Sequence, residues 1–255
     1  MVGARTISFR ERMNPSLTNQ TALVTGGAKG YGAGIAQRLR EAGARVWITG
    51  RDEVALRATA TRLGLDWIRA DVTSPADWDR VVQTILGATS RLDVLVNNAG
   101  GGVKIAPVAE QTDESIAAGI ALNLLGPLYG FRRVAPVMQA QGSGTIINIS
   151  SVCARHAWPG WGVYSAAKAG LDQSAKSLSL ELRPHGVRVT TLIASWGDTE
   201  FTDAAGLAPR DAATLARCTK PTELGDHVVH IAALPAHLCL QETVLVPLVQ
   251  EISPL

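Results

Sequence analysis

Tyr164 and Lys168 stand four residues apart in Tyr164-Ser165-Ala166-Ala167-Lys168, and the dipeptide Ser150-Ser151 lies thirteen to fourteen residues before the tyrosine. On a helix this spacing puts a phenol and an ammonium on one face, one turn apart. A phenol titrates near 10 in water, so acid–base work at neutral pH requires lowering its pKa by about 3 units, roughly 4 kcal/mol. A cation about 4 Å away supplies energy of that order at an effective dielectric of about 20. The pair is therefore a candidate acid–base device, with Tyr164 exchanging the proton. The same spacing also fits a half-buried aromatic beside a solvated lysine, so the surrounding elements have to decide.

Short β-branched runs alternate with longer helical patterns, the signature of βαβ units and a parallel sheet. Strands are expected at Thr21–Val24, Arg45–Thr49, Asp66–Arg69, Val94–Asn97, Thr145–Ile149, Val187–Ile193 and Thr243–Val246. Helices are expected to begin near Gly32, Glu53, Pro75, Asp113, Val163 and Pro221, several of them opened by Asp, Thr or Pro. Seven strands in one sheet suit a single α/β domain over residues 20–255, preceded by an N-terminal extension over 1–19. The stretch from Asp198 to Lys220 interrupts the alternation and reads as a flap over a cleft.

Hydrophobic residues make up 46% of the 255 and charged ones 18%, which describes a compact chain with a large core. A net charge of +2 gives no strong field, which argues against nucleic acid or an anionic membrane as partner. No apolar run approaches the roughly 18 residues of a membrane span. Arg5, Arg10, Glu11 and Arg12 leave no apolar region for a secretory leader. Cys153, Cys218 and Cys239 form neither a disulfide framework nor a C-x-x-C pair, so a reducing cytoplasm is expected. His227, His230 and His237 lack a carboxylate or thiol to complete a ligand set, and no metal is expected.

The first strand runs into Thr25-Gly26-Gly27-Ala28-Lys29-Gly30-Tyr31-Gly32 and then an alanine-rich helix. Glycines here let the backbone turn tightly against a pyrophosphate, whose charge the helix start attracts. The position of this turn at the first strand–helix junction points to dinucleotide binding. A carboxylate ending the second strand selects NAD by bonding the ribose 2′-OH, whereas this chain has Thr49-Gly50-Arg51-Asp52. Gly50 takes the acid's place, and Arg51 with Lys29 suits a 2′-phosphate. The expected cofactor is NADP(H), unless the strand ends one residue later and brings Asp52 to the ribose.

With these residues assembled, the chain resembles the short-chain dehydrogenase/reductase family from Thr21 to about Val246. The likeness rests on the glycine turn, Asp71-Val72, Asn97-Asn98-Ala99-Gly100, Asn123 in Leu122-Asn123-Leu124, Ser151, Tyr164 and Lys168, all in family order. It implies one Rossmann-like, doubly wound domain with a seven-stranded parallel sheet, assembled as a homotetramer or homodimer. It also implies an NADP(H)-dependent oxidoreductase that interconverts a ketone or aldehyde with an alcohol. Tyr164 would then be the general acid–base, Ser151 would polarise the substrate oxygen, Lys168 would hold the nicotinamide ribose, and Asn123 would shape a helix break and anchor a water. The cofactor would lie along Gly26, Lys29, Gly30, Tyr31, Gly32, Arg51, Asp71, Val72, Asn98, Ala99, Gly100, Tyr164, Lys168 and Thr199. Asn97 either lines it or braces the sheet.

Two departures stand out. Where the family carries Pro-Gly after the sixth strand, this chain has Ala194-Ser195-Trp196-Gly197, and its C-terminus lacks the common Asp-Gly-Gly. The altered loop leaves open a second reading, a dinucleotide-binding sensor without turnover. The tail and Trp158-Pro159-Gly160 resemble the subgroup of 3-hydroxy acid and serine dehydrogenases. Trp158, Trp161 and Trp196 suit an aromatic wall around a medium-sized carbonyl compound, to which Arg155 would add a grip on a carboxylate; the same segment equally suits a contact between subunits.

Overall fold

In a computed structural model of the chain, the residues described are 16–101 and 103–252. Strands β1 (Thr21–Thr25), β2 (Arg45–Gly50), β3 (Asp66–Arg69), β4 (Val94–Asn97), β5 (Gly144–Ser151), β6 (Val187–Ala194) and β7 (Glu242–Leu245) form one sheet. Its order is β3-β2-β1-β4-β5-β6-β7, and every pairing is parallel. Parallel strands are covered on both faces and so carry continuous apolar runs; Thr21–Thr25 and Val94–Asn97 are buried at every position.

The helices are α1 (Gly30–Glu41), α2 (Glu53–Leu63), α3 (Pro75–Thr89), α4 (Asp113–Ile120), α5 (Gly126–Gln141), α6 (Gly162–Leu182), α7 (Phe201–Ala204), α8 (Ala212–Ala216) and α9 (Pro221–Ala232). Residues of α1, α2 and α9, among them Ile35, Leu39, Leu56, Leu224 and Val228, build the core on one face of the sheet. Trp78, Ile85, Phe131, Met138, Leu171 and Leu178 from α3, α5 and α6 build the other. The side chains of Asp52, Ser74 and Thr112 accept from the third backbone N–H beyond them and cap α2, α3 and α4.

The strand positions follow the sequence reading to within one or two residues, but two elements differ from it. Of the extension over 1–19, residues 1–15 lie outside the described residues, while its last part belongs to the domain. Leu17 is fully buried, and its N–H donates to the Ala42 carbonyl at 2.7 Å. The helix opening at Asp113 continues into α5 through a π-helical turn over Ala121–Leu125. No helix among the described residues is long and apolar enough to cross a membrane.

Chain order places the site. From β1 the chain builds outward to β2 and β3, then returns to the other side of β1 with β4, so a crevice opens beyond the carboxyl ends of β1 and β4. The flap over 198–220 is clipped shut at its base. Gly197 bridges Thr219, the Asp198 N–H donates to the Thr219 carbonyl at 3.0 Å, and Lys220 pairs with Asp198 at 2.8 Å.

Candidate active site

A cavity of about 930 Å³ fills that crevice. At one end lies the glycine turn. Gly26 has φ +65°, and a Cβ there would stand 2.9 Å from the Ala99 Cα; a Cβ on Gly32 would collide with the Gly26 carbonyl oxygen. The turn is laced to the loop after β4. Thr25 Oγ1 accepts from the N–H groups of Asn98 and Ala99, each at 3.0 Å, and Asn98 Nδ2 donates to the Thr25 carbonyl at 2.9 Å. No side chain caps the start of α1, whose N–H groups face this end and suit an anion.

The end of β2 brings two charged residues to the cavity. Gly50 is the last strand residue, Arg51 is exposed beside the cavity, and the Asp52 carboxylate accepts from the Ala55 N–H at 3.0 Å as the cap of α2. β2 thus ends one residue later than expected, and Asp52 both caps the helix and lines the cavity beside Arg51. Next along the wall, Asp71 accepts from the Thr73 N–H and hydroxyl at 2.9 and 2.8 Å, with Val72 beside it.

At the other end, strand alternation separates the two serines at the close of β5. Ser150 is buried and faces Asp172 of α6, whereas Ser151 meets Tyr164 closely enough to draw the phenol's pKa downward. Burial pushes that phenol upward more strongly, so its net shift is up. This reverses the expectation that Lys168 lowers it. The Lys168 ammonium lies 5.7 Å from the ring centroid and donates to the Ile149 carbonyl at 2.9 Å, and burial pushes its own pKa down to about 8.

Every residue expected to touch a cofactor lines the cavity, as do Ser151, Tyr164 and Lys168. Asn123 does not line it. It sits fully buried in the π turn, accepts from the Gly101 N–H at 2.9 Å and donates to the Gly101 and Gly119 carbonyls at 3.1 and 3.0 Å. Its side chain thus fixes the loop after β4 against the widened helix, a turn type that recurs at functional sites. Asn97 is a scaffold residue, donating to Asn148 across the sheet at 3.0 Å.

The Ala194-Ser195 loop has its own brace. Gln250, beyond β7, reaches back so that its Oε1 accepts from the Trp196 N–H at 3.1 Å and pairs closely with the Ser195 hydroxyl. Tyr31 Oη donates to the Ser195 carbonyl at 3.3 Å from the opposite side. No sequence motif pointed to Gln250; only the departure of the tail from the family ending marked the region. Phe201 was also missed, as one residue within the flap. It stacks on Trp161 at 6.2 Å and packs against the Tyr164 ring at 5.7 Å. The proposed role of Arg155 is not supported, because its guanidinium pairs with Glu242 of β7 and it is not among the lining residues. Cys153 is buried, with a thiol pushed up by that burial, and behaves as a packing residue.

A family model described as short chain dehydrogenase matches residues 20–208. An uncharacterized oxidoreductase of Staphylococcus aureus (strain USA300) is 31% identical over 234 residues, covering 91% of this chain and 98% of the relative. Among solved structures, a metagenomic short-chain oxidoreductase in complex with NADP is 31% identical with a TM-score of 0.79, covering 91% of this chain and 98% of that one. The closed form of a serine dehydrogenase complexed with NADP+ is 28% identical with a TM-score of 0.84, covering 92% and 98%. The serine dehydrogenase of Escherichia coli is likewise 28% identical, with a TM-score of 0.79 over 91% and 100%.

Proposed function

This chain belongs to the short-chain dehydrogenases and is an oxidoreductase of that family; from this premise we propose that it uses NADP(H) to interconvert a ketone or aldehyde with an alcohol. The observation that carries the reading is a single cavity with Ser151, Tyr164 and Lys168 on one wall and the glycine turn, Lys29 and Arg51 at the far end. When bound, the nicotinamide group exchanges a hydride with the carbonyl carbon. The chain's own residues do the rest. Ser151 holds the substrate oxygen by hydrogen bonding as charge develops on it. Tyr164, beside Ser151, gives that oxygen its proton in reduction. Lys168 places a cation behind the phenol and would hold the nicotinamide ribose, while Asn123 fixes the loop after β4.

The fit to the cofactor is supported by the start of the first helix, which no side chain caps and which opens on the glycine turn, and by Arg51 and Lys29 lining that end of the cavity. Arg51 and Lys29 are then the groups for a 2′-phosphate, which favours NADP(H). The altered loop at 194–195 was the one feature suggesting a sensor without turnover, and Gln250 braces it. Exposed Leu238, Leu240, Val244 and Leu248 about the edge strand β7 support a homo-oligomer as part of the proposal. The decisive experiment is NADPH oxidation over a panel of carbonyl compounds by the parent and by Tyr164→Phe. The variant is expected to lose about 10²–10⁴ in kcat while still binding NADPH. Equal rates for the two proteins refute the assignment.

A further inference from the structure

The two ends of the cavity differ in chemistry, and the difference bears on what enters it. Around Tyr164 the side chains are Val103, Cys153, Trp158, Trp161 and Phe201. Phe201 lies within 12° of parallel to Trp161, and each ring packs against the Tyr164 ring with centroids 5.7 Å apart. Glu200 and Arg210 of the flap line the cavity outside this cluster. Glu200 reaches toward the glycine turn, its Oε2 3.5 Å from where a Cβ on Gly30 would stand. Arg210 lays its guanidinium 4.3 Å from the centroid of the Trp196 ring and acts on Tyr31. Arg155 is taken by Glu242, and Lys168 stands behind the phenol bonded to Ile149.

A carboxylate brought against Ser151 would lose its water among the rings around Tyr164, while the flap's cavity-lining cation, Arg210, lies over Trp196 and outside that cluster. A flat apolar group instead gains burial against the stacked rings. Resting on the reading of the site as a carbonyl–alcohol oxidoreductase, the geometry points to neutral carbonyl compounds bearing an aromatic or comparably broad apolar group as the substrate class. Hydroxy acids and amino acids are disfavoured by it, which separates this chain from the serine dehydrogenases it is similar to.

The test is a comparison of kcat/KM for a phenyl ketone, a three-carbon ketone and a 3-oxo acid with NADPH, together with serine in the oxidative direction. The phenyl ketone is expected to exceed the 3-oxo acid by about tenfold to a hundredfold, the value of burying one aromatic side. Phe201→Ala is expected to lower kcat/KM for the phenyl ketone by a larger factor than for the three-carbon ketone. If that variant does not fold, the parent's ratio decides alone. Preference for the 3-oxo acid or serine overturns the substrate class and leaves the oxidoreductase standing. Turnover of no compound, with NADPH still bound, overturns both.

Discussion

Lys168 is expected to cost stability, and the cost can be read against pH. Burial lowers its pKa from the ordinary 10.5 to about 8. The unfolded chain therefore binds more protons between those values, so the unfolding free energy contributed by this residue rises with pH through that window. Below pH 8 both states hold the proton, and the penalty of about 3 kcal/mol is constant. Replacing Lys168 with Met removes the titration but also leaves the Ile149 carbonyl without its donor, so the absolute stability of the variant combines two opposed effects. The pH dependence isolates one of them. Between pH 7.5 and pH 10 the parent should gain about 2 kcal/mol relative to Lys168→Met. Urea unfolding of both proteins at the two pH values, with midpoints and slopes compared, measures it. If the two proteins keep a constant difference in stability across that range, Lys168 is not held at a depressed pKa and the account of the buried ammonium is wrong.

Cofactor choice and the loop after β6 give further tests. Arg51→Ala should lose about tenfold to a hundredfold in kcat/KM for NADPH, the value of one charge-assisted bond, with NADH much less affected; parallel losses refute the 2′-phosphate role. Asp52→Ala should leave the cofactor ratio alone and lower Tm by about 2–4 °C through the lost helix cap, and a shift toward NADPH would instead place that carboxylate at the ribose. Gln250→Leu should raise KM for NADPH about tenfold by freeing Ser195 and Trp196, while an unaltered KM shows that the brace has no bearing on binding.

Much of this arrangement was legible before any coordinates. β-Branched runs bounded by turn residues give all seven strands, and Asp52, Ser74 and Thr112 mark helix starts through a local mechanism that needs no tertiary knowledge. The glycine turn and the Ser151, Tyr164, Lys168 spacing are local in the same sense. What escaped depends on distance or burial. The π turn at Ala121–Leu125 adds a residue per turn without changing composition. The Arg155–Glu242 pair joins an active-site loop to an edge strand, and no spacing rule connects them. The direction of the Tyr164 shift turns on how deeply the ring is enclosed, which a four-residue spacing does not encode. Asp52 stays two-sided for a related reason, since two residues beyond the strand it both caps a helix and lines the cavity.

The grip of Gln250 on the 195–196 backbone replaces a covalent stiffener with a removable one. A prolyl ring restricts its chain segment permanently, whereas two hydrogen bonds can break and re-form. Unlatching the loop in this protein therefore also releases the segment beyond β7, so a ligand that orders one must order the other. Entry and exit at the nicotinamide end become a matter of two chain segments moving in concert.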